Sequence, residues 1–86
     1  MIDYSTGKSI LESKNFYLSK KTTKGLTKFN HTFKNKNIIV ELDWELGGFV
    51  KGVNLIVNNS KENVFDVDNF FLYELENITN NFFYMN

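Results

Sequence analysis

The sequence lacks five amino-acid types: Cys, Pro, Ala, Arg and Gln. Without Cys the chain has neither disulfides nor a thiolate zinc site, which fits a reducing compartment and predicts a cytoplasmic protein. Without Ala and Arg, long helices are less favoured, and the paired hydrogen bonds of a guanidinium group are unavailable. The missing types, together with abundant Lys and Asn, are typical of an AT-rich genome.

Long apolar runs are also missing. No run approaches the ~20 residues that a membrane-spanning helix needs, and the first ten residues lack the basic start and apolar core of a signal peptide. We therefore expect no membrane association. The 86 residues predict a single small domain, 1–86, and its stability must come from burying 9 Phe, 4 Tyr and one Trp.

Residues 37–57 predict a β-hairpin. Gly47-Gly48 supplies the positive backbone dihedrals of a tight turn, and apolar residues alternate on both sides of it. This turn gives the hairpin one apolar face and places Trp44 in the core. The expected cross-strand pairs are Trp44 with Lys51, Leu42 with Val53, Val40 with Leu55, and Ile38 with Val57.

A preceding strand alternates in the same way over residues 27–34. A four-residue loop at 34–37 would return the chain antiparallel to the next strand. A further strand at 15–20 would extend the meander, which we expect over about 15–57. The expected pairs across the loop are Phe33 with Ile38, His31 with Val40, Phe29 with Leu42, and Lys28 with Asp43.

The period changes to that of a helix over about 66–82, with Asp66 or Asp68 as the N-cap. Residues 5–13 are consistent with either a short helix or an extended lead-in. The predicted fold is α+β, a meander of three to four antiparallel strands packed against one C-terminal helix. The apolar stripe of that helix is formed by Val67, Phe71, Leu75, Ile78 and Phe82.

Motifs that carry chemistry are weak. "TGKS" at 6–9 lacks the first Gly and the preceding strand of a phosphate-binding loop, and "DVD" at 66–68 lacks the Gly of a calcium loop. The single histidine, His31, is expected to be a hydrogen-bonded core or edge residue, because no nucleophile or zinc partner accompanies it. We expect no metal, no cofactor and no enzymatic activity.

Charge is segregated along the chain. Residues 1–36 carry a net charge of +6 and residues 37–86 a net charge of −6. Glu41, Asp43 and Glu45 alternate along one strand and fall on one face, where only Lys28 is well placed to pair with them. They form either a solvated sheet face or a docking surface for a basic partner.

We therefore expect a small non-enzymatic binding protein that inhibits or occludes a partner, such as a phage- or plasmid-type inhibitor, an anti-defence protein or an immunity protein. The partner would be a basic, nucleic-acid-binding protein, because carboxylates imitate the spacing of phosphates. A homodimer remains open. The expected acidic and aromatic surface comprises Glu41, Asp43, Glu45, Asp66, Asp68, Phe70, Tyr73 and Tyr84.

The alternative is a nucleic-acid-binding module that uses the lysine-rich first half of the chain. Phe16, Tyr17 and Phe29 would serve as stacking platforms for bases. Zero net charge and the absence of Arg weigh against this reading. Its principal cations would be Lys20, Lys21, Lys24 and Lys28.

Overall fold

The fold is a five-stranded antiparallel sheet with two helical regions on one of its faces. The computed structural model describes residues 1–21, 25–45 and 47–84. All neighbouring strands are antiparallel and follow chain order, so the predicted α+β meander is confirmed, with one strand more than expected. In chain order the elements are α1 (Tyr4–Ser13), β1 (Tyr17–Lys21), β2 (Leu26–Phe33), β3 (Lys36–Trp44), β4 (Val50–Val57), β5 (Ser60–Val64), α2 (Val67–Asn69), a π-helical segment (Phe70–Glu74) and α3 (Leu75–Tyr84).

The open question about residues 5–13 is settled in favour of a helix. At its start, the Asp3 carboxylate accepts a hydrogen bond of 2.8 Å from the backbone N–H of Thr6, which satisfies one of the free donors of the first turn. At its end, the N–H of Phe16 reaches back to the carbonyl of Leu11. Asn15 makes this possible by adopting φ 67°, the left-handed conformation that commonly follows a helix.

The β3–β4 pairing is as predicted from the pair Ile38 with Val57 to the pair Leu42 with Val53 but differs beside the turn, where the N–H of Glu45 bonds to the carbonyl of Phe49. Leu42 pairs with Val53, but a register shift beyond Asp43 places Val50, rather than Lys51, opposite Trp44. That single predicted pair was wrong.

The predicted β2–β3 register was wrong by two residues. The turn contains two residues, Lys34 and Asn35, both with positive φ, instead of the expected four. Phe33 therefore pairs with Lys36, and Lys28 pairs with Glu41 rather than Asp43. A shift of two residues keeps every side chain on its expected face, because side chains alternate with period two.

The C-terminal helix, which consists of α2, the π segment and α3 in succession, covers 67–84 and confirms the predicted element. The side chain of Asp66 caps it by accepting from the N–H of Asn69 at 3.1 Å. In the π segment, the N–H of Leu75 bonds to the carbonyl of Phe70, five residues earlier. Beyond this wide turn Thr79 and Phe83 are buried, and the predicted stripe residues Ile78 and Phe82 are partly buried against the core.

Both helical regions pack on one face of the sheet. The ring of Tyr4 in α1 lies 5.1 Å from Trp44, and the ring of Phe83 in α3 lies 4.4 Å from His31. The opposite face of the sheet carries mainly polar side chains. The core side chains that are completely buried are Leu11, Phe16, Phe29, Ile38, Val40, Leu42, Phe70 and Leu75.

Two glycines permit close approaches. A Cβ on Gly7 would lie 3.3 Å from the ring of Phe71 and 3.4 Å from Leu42, so α1 sits tightly between the C-terminal helix and the sheet. Gly25 has φ +74°, and a Cβ there would lie 2.2 Å from the carbonyl oxygen of Trp44. Only glycine fits where β2 begins beside the end of β3.

Candidate functional site

Glu41 is not the exposed carboxylate that the strand pattern predicts. It is 7% exposed, and it accepts a 2.7 Å hydrogen bond from the side-chain amide of Asn54. The ammonium groups of Lys28 and Lys61 lie 3.9 and 3.8 Å from its two oxygens. Because two cations and an amide surround it, Glu41 belongs to a neutralised polar cluster on the sheet face and is removed from the expected acidic surface.

Asp43 and Glu45, the other two carboxylates predicted on this strand face, differ in their exposure. Asp43 is partly buried and lies opposite Gly52. Glu45 has left the strand and is exposed, with its backbone N–H bonded to the carbonyl of Phe49 at 3.0 Å. Of the three predicted carboxylates, Glu41 is therefore buried, Asp43 is half-buried and Glu45 lies in a loop.

Asp66 and Asp68 lie at the edge of a cleft of about 360 Å³. Asp66 is the helix cap, and Asp68 lies 3.2 Å from the amino terminus with its side chain 53% exposed. Phe65, beside them, is 80% exposed. We call this site the acidic cleft. It is lined by Met1, Ile2, Val50, Lys51, Phe65, Asp66, Val67 and Asp68.

The acidic cleft and Glu45 occupy the same end of the sheet. Val50, at the start of β4, donates its N–H to the carbonyl of Ile2, and Phe49 forms an isolated bridge with Asp3. Glu45 and the cleft are thus joined through the β3–β4 loop and the residues that precede α1.

The expected aromatic face of the helix is not a single surface. Phe70 is completely buried, so it belongs to the core. Tyr73 is 66% exposed and Tyr84 is 58% exposed, but Tyr84 packs at the far end of the helix, with its ring 5.1 Å from Phe33. The π segment explains the error for Phe70, because the wide turn directs both Phe70 and Phe71 into the core.

Two of the four lysines of the alternative function are neighbours in the sheet. Lys20, exposed on β1, pairs directly with Lys28 on β2, whose ammonium group also lies 3.9 Å from Glu41. Lys24 lies outside the described residues, and only the backbone of Lys21 is described. Of the proposed stacking platforms, Phe16 and Phe29 are completely buried and Tyr17 is 60% exposed, so one aromatic remains available to a base.

His31 lies on the core face, as predicted, but without the expected hydrogen bond to its Nδ1. The residue is 8% exposed, and Nδ1 has no partner among the described residues. Its ring packs between Phe16, at 5.2 Å, and Phe83, at 4.4 Å. Burial lowers the pKa of His31 below its ordinary value of 6.5, because the charged imidazolium is poorly solvated there.

A second cleft, larger than the acidic cleft, was not predicted. It has a volume of about 570 Å³ and lies along β2 at residues 30–33, where β2 extends past its last pair with β1, Tyr17 with Asn30. We call it the strand-edge cleft. No sequence signal marks it, since its walls come from β1, β2 and the end of α3. It is lined by Asn15, Tyr17, Leu18, Ser19, Asn30, His31, Thr32, Phe33 and Tyr84.

Comparisons of the chain with known protein families, curated proteins and solved structures gave no match. Across 1–21, 25–45 and 47–84, no group of three or more His, Asp and Glu side chains is arranged to hold a metal ion. No helix in that part of the chain is long and apolar enough to cross a bilayer.

Proposed function

We propose that the protein is a non-enzymatic binding protein of the cytoplasm that occludes a basic, nucleic-acid-binding partner protein with the acidic cleft. The observation that carries this proposal is the position of Phe65, a large apolar side chain 80% exposed to solvent, directly beside Asp66 and Asp68. Exposed apolar groups rimmed by charge are typical of interaction sites.

The chemistry of the acidic cleft suits such a partner. A protein that binds nucleic acid presents cations spaced for phosphates, and carboxylates attract those cations over several ångströms. Phe65 would supply the desolvated anchor, while Asp66 and Glu45 would increase the association rate. Asp68 would exchange its salt bridge with the amino-terminal ammonium group for one with the partner. Blocking of the nucleic-acid site would be the mode of action of a phage- or plasmid-type inhibitor or an immunity protein.

The test compares proteins captured from source cells by the wild type and by variants that keep the fold. Asp66→Asn retains an oxygen to cap the helix while removing the charge, and it is combined with Asp68→Asn and Glu45→Gln. Phe65→Ser removes the anchor. We expect a partner retained by the wild type, released by moderate salt, and lost with both variants.

Glu62→Gln is the matched control, because Glu62 is exposed on the edge strand β5 and outside the acidic cleft. It should capture the same partner as the wild type. Equal capture by the wild type, the charge-removed variant and Phe65→Ser would refute this use of the cleft. A captured protein that does not bind nucleic acid would refute the proposed mode of action.

The second candidate is direct binding of single-stranded nucleic acid, which the exposure of Tyr17 beside Lys20 favours. Fluorescence anisotropy with labelled oligonucleotides distinguishes it. Micromolar binding whose logarithm falls with the logarithm of salt, by about 0.7 per phosphate contacted, would place this function first.

A further inference from the structure

The strand-edge cleft holds two buried polar atoms without partners. Nδ1 of His31 and Oδ1 of Asn30 are out of contact with solvent and have no hydrogen-bond partner among the described residues. Leaving such an atom unsatisfied costs ~1–3 kcal/mol, and most buried polar groups in folded proteins are satisfied. Both residues line the same cleft.

The orientation of Asn30 follows from its neighbours. The hydroxyl of Thr32 donates its only proton to Oδ1 of Asn37 at 3.1 Å. That hydroxyl must therefore accept from the amide nitrogen of Asn30, which lies 3.1 Å away. Oδ1 of Asn30 is left as an acceptor that requires a donor.

The two atoms lie on opposite faces of β2, because consecutive side chains of a strand alternate. The cleft joins the faces around the edge of the strand. Tyr17 pairs with Asn30, and β2 continues from His31 to Phe33 past the last pair with β1. A ligand that reaches both atoms must therefore cross this edge. It needs a donor for Oδ1 of Asn30 and, at a distance from it, a group such as a hydroxyl that can donate to or accept from Nδ1 of His31.

The walls indicate a flat and uncharged ligand. Tyr17 and Tyr84 are 60% and 58% exposed, and each presents a ring at the rim. None of the lining residues is a Lys, Asp or Glu, so a charged group in the cleft would meet no counterion. Nδ1 of His31 and Oδ1 of Asn30 have no exposed surface, so a ligand reaches them only when side chains of the cleft rotate. Exposed side chains change rotamer readily.

We propose that the strand-edge cleft binds a nucleoside, with the base against Tyr17 and its N–H donating to Oδ1 of Asn30, and with a 2′- or 3′-hydroxyl of the sugar hydrogen-bonded to Nδ1 of His31. The base is assigned to the Tyr17 side because Tyr17 lies directly opposite Asn30. His31 is packed between two phenylalanine rings, so a group as small as a hydroxyl is assigned to its Nδ1. The fold has already removed water from both atoms, so the polar groups of the ligand meet no competing hydration.

The site goes beyond the proposed function and does not depend on it. The test is a titration of ¹⁵N-labelled protein with adenosine, followed by amide and imidazole chemical shifts. We expect saturable shifts confined to the strand-edge cleft. N6,N6-dimethyladenosine, which lacks the exocyclic N–H, and 2′,3′-dideoxyadenosine, which lacks the 2′- and 3′-hydroxyls, should each bind roughly three- to tenfold more weakly.

Three variants and one control complete the test. Tyr17→Ala should weaken adenosine binding at least threefold, and His31→Phe should remove the difference between adenosine and its dideoxy analogue. Asn30→Ala should remove the difference between adenosine and the dimethyl analogue. Tyr73→Ala, an equally exposed tyrosine outside the cleft, should bind as the wild type does.

The source of the base is resolved by a second titration with a pentanucleotide of adenine. Binding at least tenfold tighter than that of adenosine, with salt dependence, would indicate a base presented by a nucleic-acid strand. Equal or weaker binding would indicate a free nucleoside. Absence of saturable, localised shifts with adenosine, cytidine, guanosine and uridine up to their solubility limits would overturn the proposal.

Discussion

Asn54 donates a 2.7 Å hydrogen bond to Glu41 across β3 and β4, on the face of the sheet opposite the helices. Glu41 is nevertheless 7% exposed, because the side chain of Lys28 approaches it from the neighbouring strand β2 and that of Lys61 from β5, on the far side of β4. A carboxylate in this position is satisfied by its neighbours and contributes to the fold.

The first prediction concerns this cluster. Glu41→Leu should lower the free energy of unfolding by ~1–3 kcal/mol, since it leaves the amide of Asn54 and two lysines without their acceptor. Glu41→Gln keeps an oxygen for Asn54 and should cost less than about 1 kcal/mol. Urea unfolding measures both.

The matched control is Glu45→Leu, which removes an exposed loop carboxylate and should change stability by less than about 0.5 kcal/mol. If the three variants unfold at the same urea concentration, Glu41 is not held by the contacts described above.

The surroundings of Glu41 depend on two features that could not be predicted from the sequence, the strand β5 and the length of the β2–β3 turn. Lys61 belongs to β5, whose sequence "SKENV" has one apolar residue and so no alternation to detect. Without β5, no residue was available to cover Glu41 from that side. The β2–β3 turn was equally ambiguous, because "KNKN" fits a loop of two residues as well as one of four, and the choice moves Lys28 from Asp43 to Glu41.

Where local chemistry was unambiguous, the sequence predicted the structure. Gly47-Gly48 located the turn between β3 and β4, the apolar alternation predicted most of their pairs, and the helical period predicted the C-terminal helix. A hydrophobic pattern contains no sign of a π turn, so the burial of Phe70 was missed. The helix α1 does have signals, Asp3 before it and Asn15 after it, but few apolar residues between them. The strand-edge cleft depends on tertiary packing alone.

The second prediction concerns Gly25. Gly25→Ala should destabilise the protein by more than the ~1–2 kcal/mol of a left-handed alanine, because its Cβ would overlap the carbonyl of Trp44. Gly48→Ala is the control, since Gly48 has φ +90° but no atom within 4 Å of the added Cβ. Chemical unfolding of both variants should separate the cost of a positive φ in alanine, which both share, from the cost of the overlap with Trp44, which only Gly25→Ala has. Equal losses would show that the strand ends move apart at little cost.

The third prediction concerns pH. Burial holds the pKa of His31 below 6.5 in the folded state, so the unfolded chain takes up the proton more readily. The contribution of neutral His31 to the free energy of unfolding should be fully present above about pH 6.5. It should be lost as the pH drops through the pKa of the folded state. His31→Phe, which keeps an aromatic ring, should reduce this dependence.

Urea unfolding at pH 7.5, 6.5 and 5.5 measures the effect of His31. The pKa of Asp3 is also lowered, by its hydrogen bond with the N–H of Thr6, but its contribution is present above its ordinary value of 3.8 and disappears only at lower pH. If His31→Phe leaves the pH dependence of stability unchanged over this range, other groups are responsible for that dependence.

The last prediction concerns Trp44, whose indole N–H donates a 3.0 Å hydrogen bond to the hydroxyl of Thr27. Thr27 is completely buried on the neighbouring strand, whereas Trp44 is partly buried beside Tyr4. Trp44→Ala should therefore cost about 3 kcal/mol, the lower end of the range for large aromatic deletions, because solvent already reaches part of the ring.

A double-mutant cycle isolates the hydrogen bond from the packing. Trp44→Phe keeps a ring but leaves the buried hydroxyl without its donor, and Thr27→Val removes that hydroxyl while preserving its shape. Each should destabilise the protein by about 1 kcal/mol, and the double variant should be more stable than the sum of the two losses predicts, by ~0.5–1.5 kcal/mol. Strictly additive losses would mean that the indole N–H contributes nothing through Thr27, and that Trp44 acts only by packing against Tyr4.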